Sequence, residues 1–151
     1  MSLFQGIDIS ASGLTAQRLR MDVIANNIAN ANTTRTPGGT GPYRREVVEL
    51  SQKPASAFGA MLNQSLNPTG DGVQVTKIAQ DQSPFKLVYD PGNPDAVKDP
   101  KSPMYGYVRM PNVNIVTEMV DLISASRSYE ADITALNASK SIDMKALQIG
   151  K

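Results

Sequence analysis

The chain has 151 residues, and 15 Lys and Arg against 14 Asp and Glu leave a formal net charge of +1. That balance lacks the basic footprint of a protein that holds many nucleic-acid phosphates. The absence of Cys and His removes disulfides, thiol and imidazole catalysis and almost every zinc site, so no metal, cofactor or catalytic residue is assigned. Aromatics are only 5% and Trp is missing, so few of the large residues that anchor a dense core are at hand. The run Met1-Ser2-Leu3-Phe4-Gln5-Gly6 has no basic region and no apolar stretch, which predicts no cleaved signal peptide. No segment approaches the ~20 apolar residues of a membrane span.

All ten prolines lie between Pro37 and Pro111. An interior Pro costs a helix ~3 kcal/mol, so both ends are free to be helical and the middle is not. The expected class is α+β: long N- and C-terminal helices pairing as an antiparallel coiled coil, with a small, mainly β middle. The corresponding divisions are 1–32, 33–113 and 114–151.

In the first segment Ile7, Leu14, Met21 and Ile28 recur every seven residues, a line that Leu3, Phe4, Ala11, Ile24 and Ala25 broaden. Ser2 with Gln5 suits a capping box, and Asn30 or Asn32 suits a left-handed helix stop. Gly13 weakens the helix by up to ~1 kcal/mol but permits a close approach by another backbone. Four windows of the middle are rich in β-branched and aromatic residues: Tyr43–Leu50, Val73–Ala79, Phe85–Tyr89 and Tyr105–Met110. Pro/Gly/Asn/Asp clusters separate them. Residues 55–66 are left open between a short helix and a loop. The last segment repeats the heptad through Ile115, Leu122, Tyr129 and Leu136, with Met119, Ile133 and Leu147 alongside. Asn114 is its expected N-cap, and Glu118 and Asp121 suit the positive end of its dipole. From Ile115 to about Gln148 it would be ~50 Å long.

A seven-residue apolar line is a seam that needs another helix. The two termini can satisfy each other as a hairpin packed on the middle, an ordinary α+β domain. Two features point instead to assembly with other chains. The last helix overshoots what the middle can cover, and the faces away from the seam are small: Ser10-Ala11-Ser12-Gly13 on one helix, and Ser124, Ala125, Ser126 and Ser128 on the other. The first 32 residues carry only Asp8, Arg18, Arg20 and Asp22 as charges, too few for a helix standing alone in water. Asn26, Asn27 and Asn30 lie at i,i+3 and i,i+4, and their amides can set register against a neighbour. The expected assembly interface is therefore Ile7, Leu14, Met21, Ile28, Asn26, Asn27, Asn30, Ile115, Leu122, Tyr129, Ile133 and Leu136.

Ser10-Ala11-Ser12-Gly13-Leu14-Thr15-Ala16-Gln17-Arg18 followed by Asn26-Asn27-Ile28-Ala29-Asn30-Ala31-Asn32-Thr33 resembles the N-terminal motif of the bacterial flagellar rod and hook axial proteins. Three further runs resemble the proximal-rod members of that family. They are Tyr89-Asp90-Pro91-Gly92-Asn93-Pro94-Asp95-Ala96, Gly106-Tyr107-Val108-Arg109-Met110-Pro111-Asn112-Val113-Asn114, and the stretch from Glu118 to Ala131. Residues 51–72 match least.

The resemblance implies a structural, non-enzymatic subunit of the basal-body rod, a helical tube crossing the periplasm. Its terminal helices would stack with those of its own copies and of other rod proteins. Its implied partners include the export apparatus and the membrane-ring end of the basal body, with export occurring without signal cleavage. Phe58 and Leu62 in Phe58-Gly59-Ala60-Met61-Leu62 match a hydrophobic export motif described for early flagellar substrates. Two rivals come from other classes. A peptidoglycan hydrolase could use Glu46 with Glu49 or Asp95 with Asp99. A soluble coiled-coil adaptor would explain the heptads, but not the scarcity of charge beside them.

Overall fold

The computed structural model describes residues 5–38, 41–53 and 72–149. In chain order they form α1 (Gln5–Ala29), β1 (Glu46–Gln52), β2 (Val73–Gln80), β3 (Lys86–Tyr89), β4 (Tyr107–Met110) and α2 (Ile115–Ile149). This is the α+β class expected, with each predicted strand window holding a strand. β1 starts three residues late because the residues before it are otherwise engaged. The amide of Tyr43 donates to the Thr33 carbonyl, and that of Arg45 to Asn112 Oδ1.

Asn114 caps α2 as expected. Its Oδ1 accepts the amide of Val116 at 3.1 Å, and its carbonyl accepts that of Glu118 at 2.9 Å. The end of α1 departs from expectation, since among the described residues no residue other than Gly has positive φ. The helix closes by a tightened turn, Ala31 N–H to Ile28 O, and by the Asn30 side chain, which donates to the Asn26 carbonyl at 3.0 Å. The capping box proposed for Ser2 lies outside the described residues.

The chain divides into two compact units. Unit 1 takes residues 1–21, 48–78 and 123–151, and unit 2 takes residues 22–47 and 79–122. In unit 1 the helices run antiparallel, with Gly6 against Ser139 and Gly13 against Asp132, so seven residues forward on α1 is seven back on α2. A Cβ on Gly13 would lie 2.8 Å from Asp132 Oδ2, so the close approach foreseen for this glycine is made by the Asp132 side chain. Ala125 is 1% exposed, and Ala16 is buried in the same unit. Here the expectation is corrected: Ala125 is buried and Gly13 is half-buried against the Asp132 side chain, so neither lies on an outward face.

The start of β2 is fastened in the same unit. Ser12 Oγ donates to the Ile9 carbonyl and accepts the amide of Val73 at 3.0 Å. Gly72, at φ +94°, sits so close that a Cβ there would collide with the Ser12 hydroxyl. Lys53 N–H closes the ladder onto the Gly72 carbonyl.

In unit 2, β3 and β4 pair antiparallel, from Lys86 opposite Met110 to Tyr89 opposite Tyr107. Val23, Ile24, Ala31, Ala96, Val108 and Pro111 are among the buried apolar residues described in this unit. The substitution Gly72→Ala combines a forbidden backbone angle with a steric collision, and should destabilise the chain by about 1–3 kcal/mol. Urea denaturation followed by circular dichroism measures it; an unshifted midpoint would contradict the geometry.

Candidate functional site: a buried polar junction and a bare helix face

The most ordered polar chemistry in unit 2 centres on Asn27, on the last turns of α1. Its amide pairs with the backbone of Glu46 as another strand would: Nδ2 donates to the Glu46 carbonyl at 2.8 Å, and Oδ1 accepts the Glu46 amide at 2.9 Å. The second Nδ2 hydrogen goes to Glu118 Oε2 at 2.9 Å, and the second Oδ1 lone pair takes the Tyr43 hydroxyl at 2.9 Å. All four hydrogen-bonding positions of the amide are filled, which a buried side chain requires.

Glu118, on the first turn of α2, is 1% exposed. A carboxylate at that depth needs a counter-charge, and Arg45 provides it, donating Nε to Oε1 at 2.6 Å. Arg45 also reaches Asp121 at 3.5 Å and Asp81 at 3.8 Å. Partial burial works against the charge of Arg45. The Glu118 hydrogen bond and the charges of Glu118, Asp81 and Asp121 outweigh it and hold the guanidinium above its ordinary pKa. Asn112 completes the set, with Nδ2 donating to the Asp81 carbonyl at 3.1 Å.

Tyr43 feels the same charges with the opposite result. Burial first, then the negative charges of Glu46 and Glu118, push its hydroxyl from 10.0 up to about 12. Two aspartates move down. The Ser83 side chain and amide hold Asp81 below its ordinary 3.8, helped by Arg45 and Arg44. Thr34 does the same for Asp95, helped by Arg35 and Lys98.

Of the residues proposed from the sequence, only Asn27 enters this junction fully. Asn26 is exposed and reaches the Tyr43 hydroxyl at 3.4 Å, while Asn30 is half-buried and bonds back onto Asn26. Ile7, Leu14, Met21, Ile28, Leu122, Tyr129 and Leu136 are half-buried; Ile115 and Ile133 are exposed. Phe58 and Leu62 lie outside the described residues. Sequence reasoning missed Arg45, Tyr43 and the burial of Glu118. A signal existed: Glu118 falls seven residues before Ala125 on the buried line of α2, and a lone polar residue on such a line commonly specifies register.

A second feature is the opposite side of α2. Val116 is 71% exposed and Val120 61%, with Met119 between them and Ile123 continuing the i, i+3, i+4, i+7 spacing. Toward the far end Ile142, Met144 and Leu147 are exposed as well. Among the described residues no cluster of His, Cys, Asp and Glu could hold a metal ion. No described helix is long and apolar enough to cross a membrane.

Family models place this arrangement. Residues 7–35 match the flagella basal body rod protein model, and residues 104–149 match the model for the C-terminal part of flagellar basal body rod FlgEFG proteins. The chain is 50% identical to the flagellar basal-body rod protein FlgC of Bacillus subtilis, with the whole of both chains covered. It is 50% identical to the protein of that name in Borreliella burgdorferi, covering 99% of this chain and 98% of the other. It is 43% identical to that of Escherichia coli O6:H1, again over both full lengths. The chain belongs to the FlgC family of flagellar basal-body rod proteins. It is a structural subunit of the rod, as the resemblance of its motifs implied.

Two outcomes follow from the junction. Replacing Glu118 by Leu leaves Asn27 Nδ2 and Arg45 without their shared acceptor, and should cost about 3 kcal/mol in a denaturant titration, with Glu118→Gln costing less. Stability should also fall at both ends of the pH scale. The contribution of Tyr43 is complete below pH 10 and is lost as pH rises from there toward about 12. Those of Asp81 and Asp95 are present above 3.8 and are lost as pH falls below it. Phenolate absorbance should show a step near pH 12 that is lost in Tyr43→Phe; an unchanged titration curve in that variant would contradict the burial of Tyr43.

Proposed function

We propose that the chain self-assembles through its terminal helices, together with other rod proteins, into the axial tube that transmits torque and conducts exported subunits. The observation that carries this reading is the apolar face of α2 around Val116 and Val120. A soluble monomer seldom leaves such a contiguous stripe bare, and burial against a neighbour at ~25 cal/mol per Å2 favours association. Contacts between unlike surfaces that do not close into a ring generate a helical tube. Close-packed side chains at those contacts resist sliding, which is what carrying torque demands.

The interface would draw on Ile7, Leu14, Met21, Ile28, Asn26, Asn30, Ile115, Leu122, Tyr129, Ile133 and Leu136, the half-buried members losing the rest of their exposure to neighbouring subunits, while Asn27, buried and fully bonded in the junction, would act by holding the end of α1 in place. The chain would reach the periplasmic rod through the flagellar export apparatus without signal cleavage, with Phe58 and Leu62 serving that step, and would meet the membrane-ring end of the basal body. A purely structural role also fits the carboxylates considered for catalysis, since Glu49 pairs with Lys77 at 3.4 Å and Asp95 with Arg35.

The test uses positions already in water. Val116→Asp with Val120→Asp should leave the melting of the monomer within about 0.5 kcal/mol of the parent, because neither side chain packs in it. Rod assembly and swimming should both be lost. Normal swimming with the doubly substituted chain would remove α2 from the interface.

A further inference from the structure

The middle segment carries a second surface with a different chemistry. Residues paired across an antiparallel ribbon share a face, as do residues two apart along a strand. Leu87 opposite Arg109 and Tyr89 opposite Tyr107 therefore lie together on one side of β3–β4, and all four are exposed. Val108, on the other side, is buried. The rings of Tyr89 and Tyr107 meet edge to face with centroids 5.2 Å apart, which fixes them before any partner arrives.

Arg109 also lines a cleft of about 520 Å3 with Thr34, Arg35 and Asp95. Asp95 accepts the Thr34 hydroxyl at 2.8 Å and pairs with the Arg35 guanidinium, holding that long side chain at the cleft. Lys98 adds a further positive charge near Asp95. Among the described ion pairs none occupies Arg109. The cleft lining thus holds two guanidinium groups against one carboxylate, and Lys98 near Asp95 adds to that positive surplus. Its frame is pinned to β4, with Val97 N–H donating to the Tyr107 carbonyl at 3.1 Å and Gly106 N–H to the Val97 carbonyl at 3.0 Å.

We infer that the Leu87, Tyr89, Tyr107 and Arg109 face, with Arg35 beside it, docks an acidic segment of a partner protein, one carboxylate of which lies between the two guanidinium groups. The planar fork of Arg matches a carboxylate in two hydrogen bonds. Tyr and Arg presented together are the composition of interface hot spots. A small free anion would satisfy the guanidiniums but leave the tyrosine and leucine surface uncovered, so the chemistry favours a polypeptide with apolar side chains next to its acidic one. This surface lies on the middle segment and does not rest on assembly through the terminal helices.

The test titrates the full chain, isotopically labelled for NMR, with a blocked peptide of alternating glutamate and leucine. Perturbations should cluster at Tyr89, Tyr107, Arg109 and Arg35, and weaken as salt is raised. Arg109→Gln and Arg35→Gln should each weaken binding about five-fold, the effect of one exposed charged pair. Both side chains are exposed, so the remaining spectrum should stay unchanged and report an intact fold. The inference is overturned if the matching glutamine–leucine peptide binds as well, if inorganic phosphate at equal concentration gives the same perturbations, or if these residues do not respond.

Discussion

A carboxylate buried to 1% exposure constrains everything packed around it. A carboxyl group at that depth is tolerated only if it has a counter-charge and its oxygens are occupied. Arg45 supplies the first condition and, with Asn27, the second. Asn27 in turn holds both backbone groups of Glu46, so one amide ties the end of α1, the start of β1 and the first turn of α2 to a single arrangement. Sliding α2 by one residue would carry Glu118 away from both partners and leave a buried carboxylate and one Asn27 N–H unpaired. The junction therefore acts on register more than on net stability, which is the best-attested use of a buried ion pair.

The helix packing in unit 1 follows a related logic. Gly6 against Ser139 and Gly13 against Asp132 bring the two helices together over small and polar side chains. Such packing leaves Ile7, Leu14, Tyr129 and Leu136 only half-buried. Val116, Met119 and Val120 remain in water on α2. For a lone monomer that exposure would be a solubility liability; in the proposed assembly neighbouring subunits would cover it.

Both features sharpen the family membership into physical roles. The N-terminal family match ends at residue 35, just beyond the turn that follows Asn27, and the C-terminal match spans β4 and α2. The conspicuous asparagines of the first match are not equivalent: Asn27 organises the junction, Asn30 closes its own helix, and Asn26 stays outside. Tyr107, Val108 and Arg109 of the later motif likewise divide between a buried valine and an exposed tyrosine and arginine, as strand alternation requires.

Periodicity and proline placement determined the two helices, and enrichment in β-branched and aromatic residues between turn clusters the windows of all four strands, because these depend on backbone conformation and on local composition along the chain. Asn114 was legible as a cap for the same local reason. Which side of each helix turns inward was decided only by tertiary structure. The line through Gly13 and Ala125 competes with the greasy line through Leu14 and Leu122, and the room Gly13 leaves for the Asp132 side chain is invisible in a hydropathy pattern. The ion pair of Arg45 and Glu118 joins residues 73 positions apart, and no local rule connects them. Burial alone turned Glu118 from a charge suited to a helix dipole into the acceptor on which the junction depends.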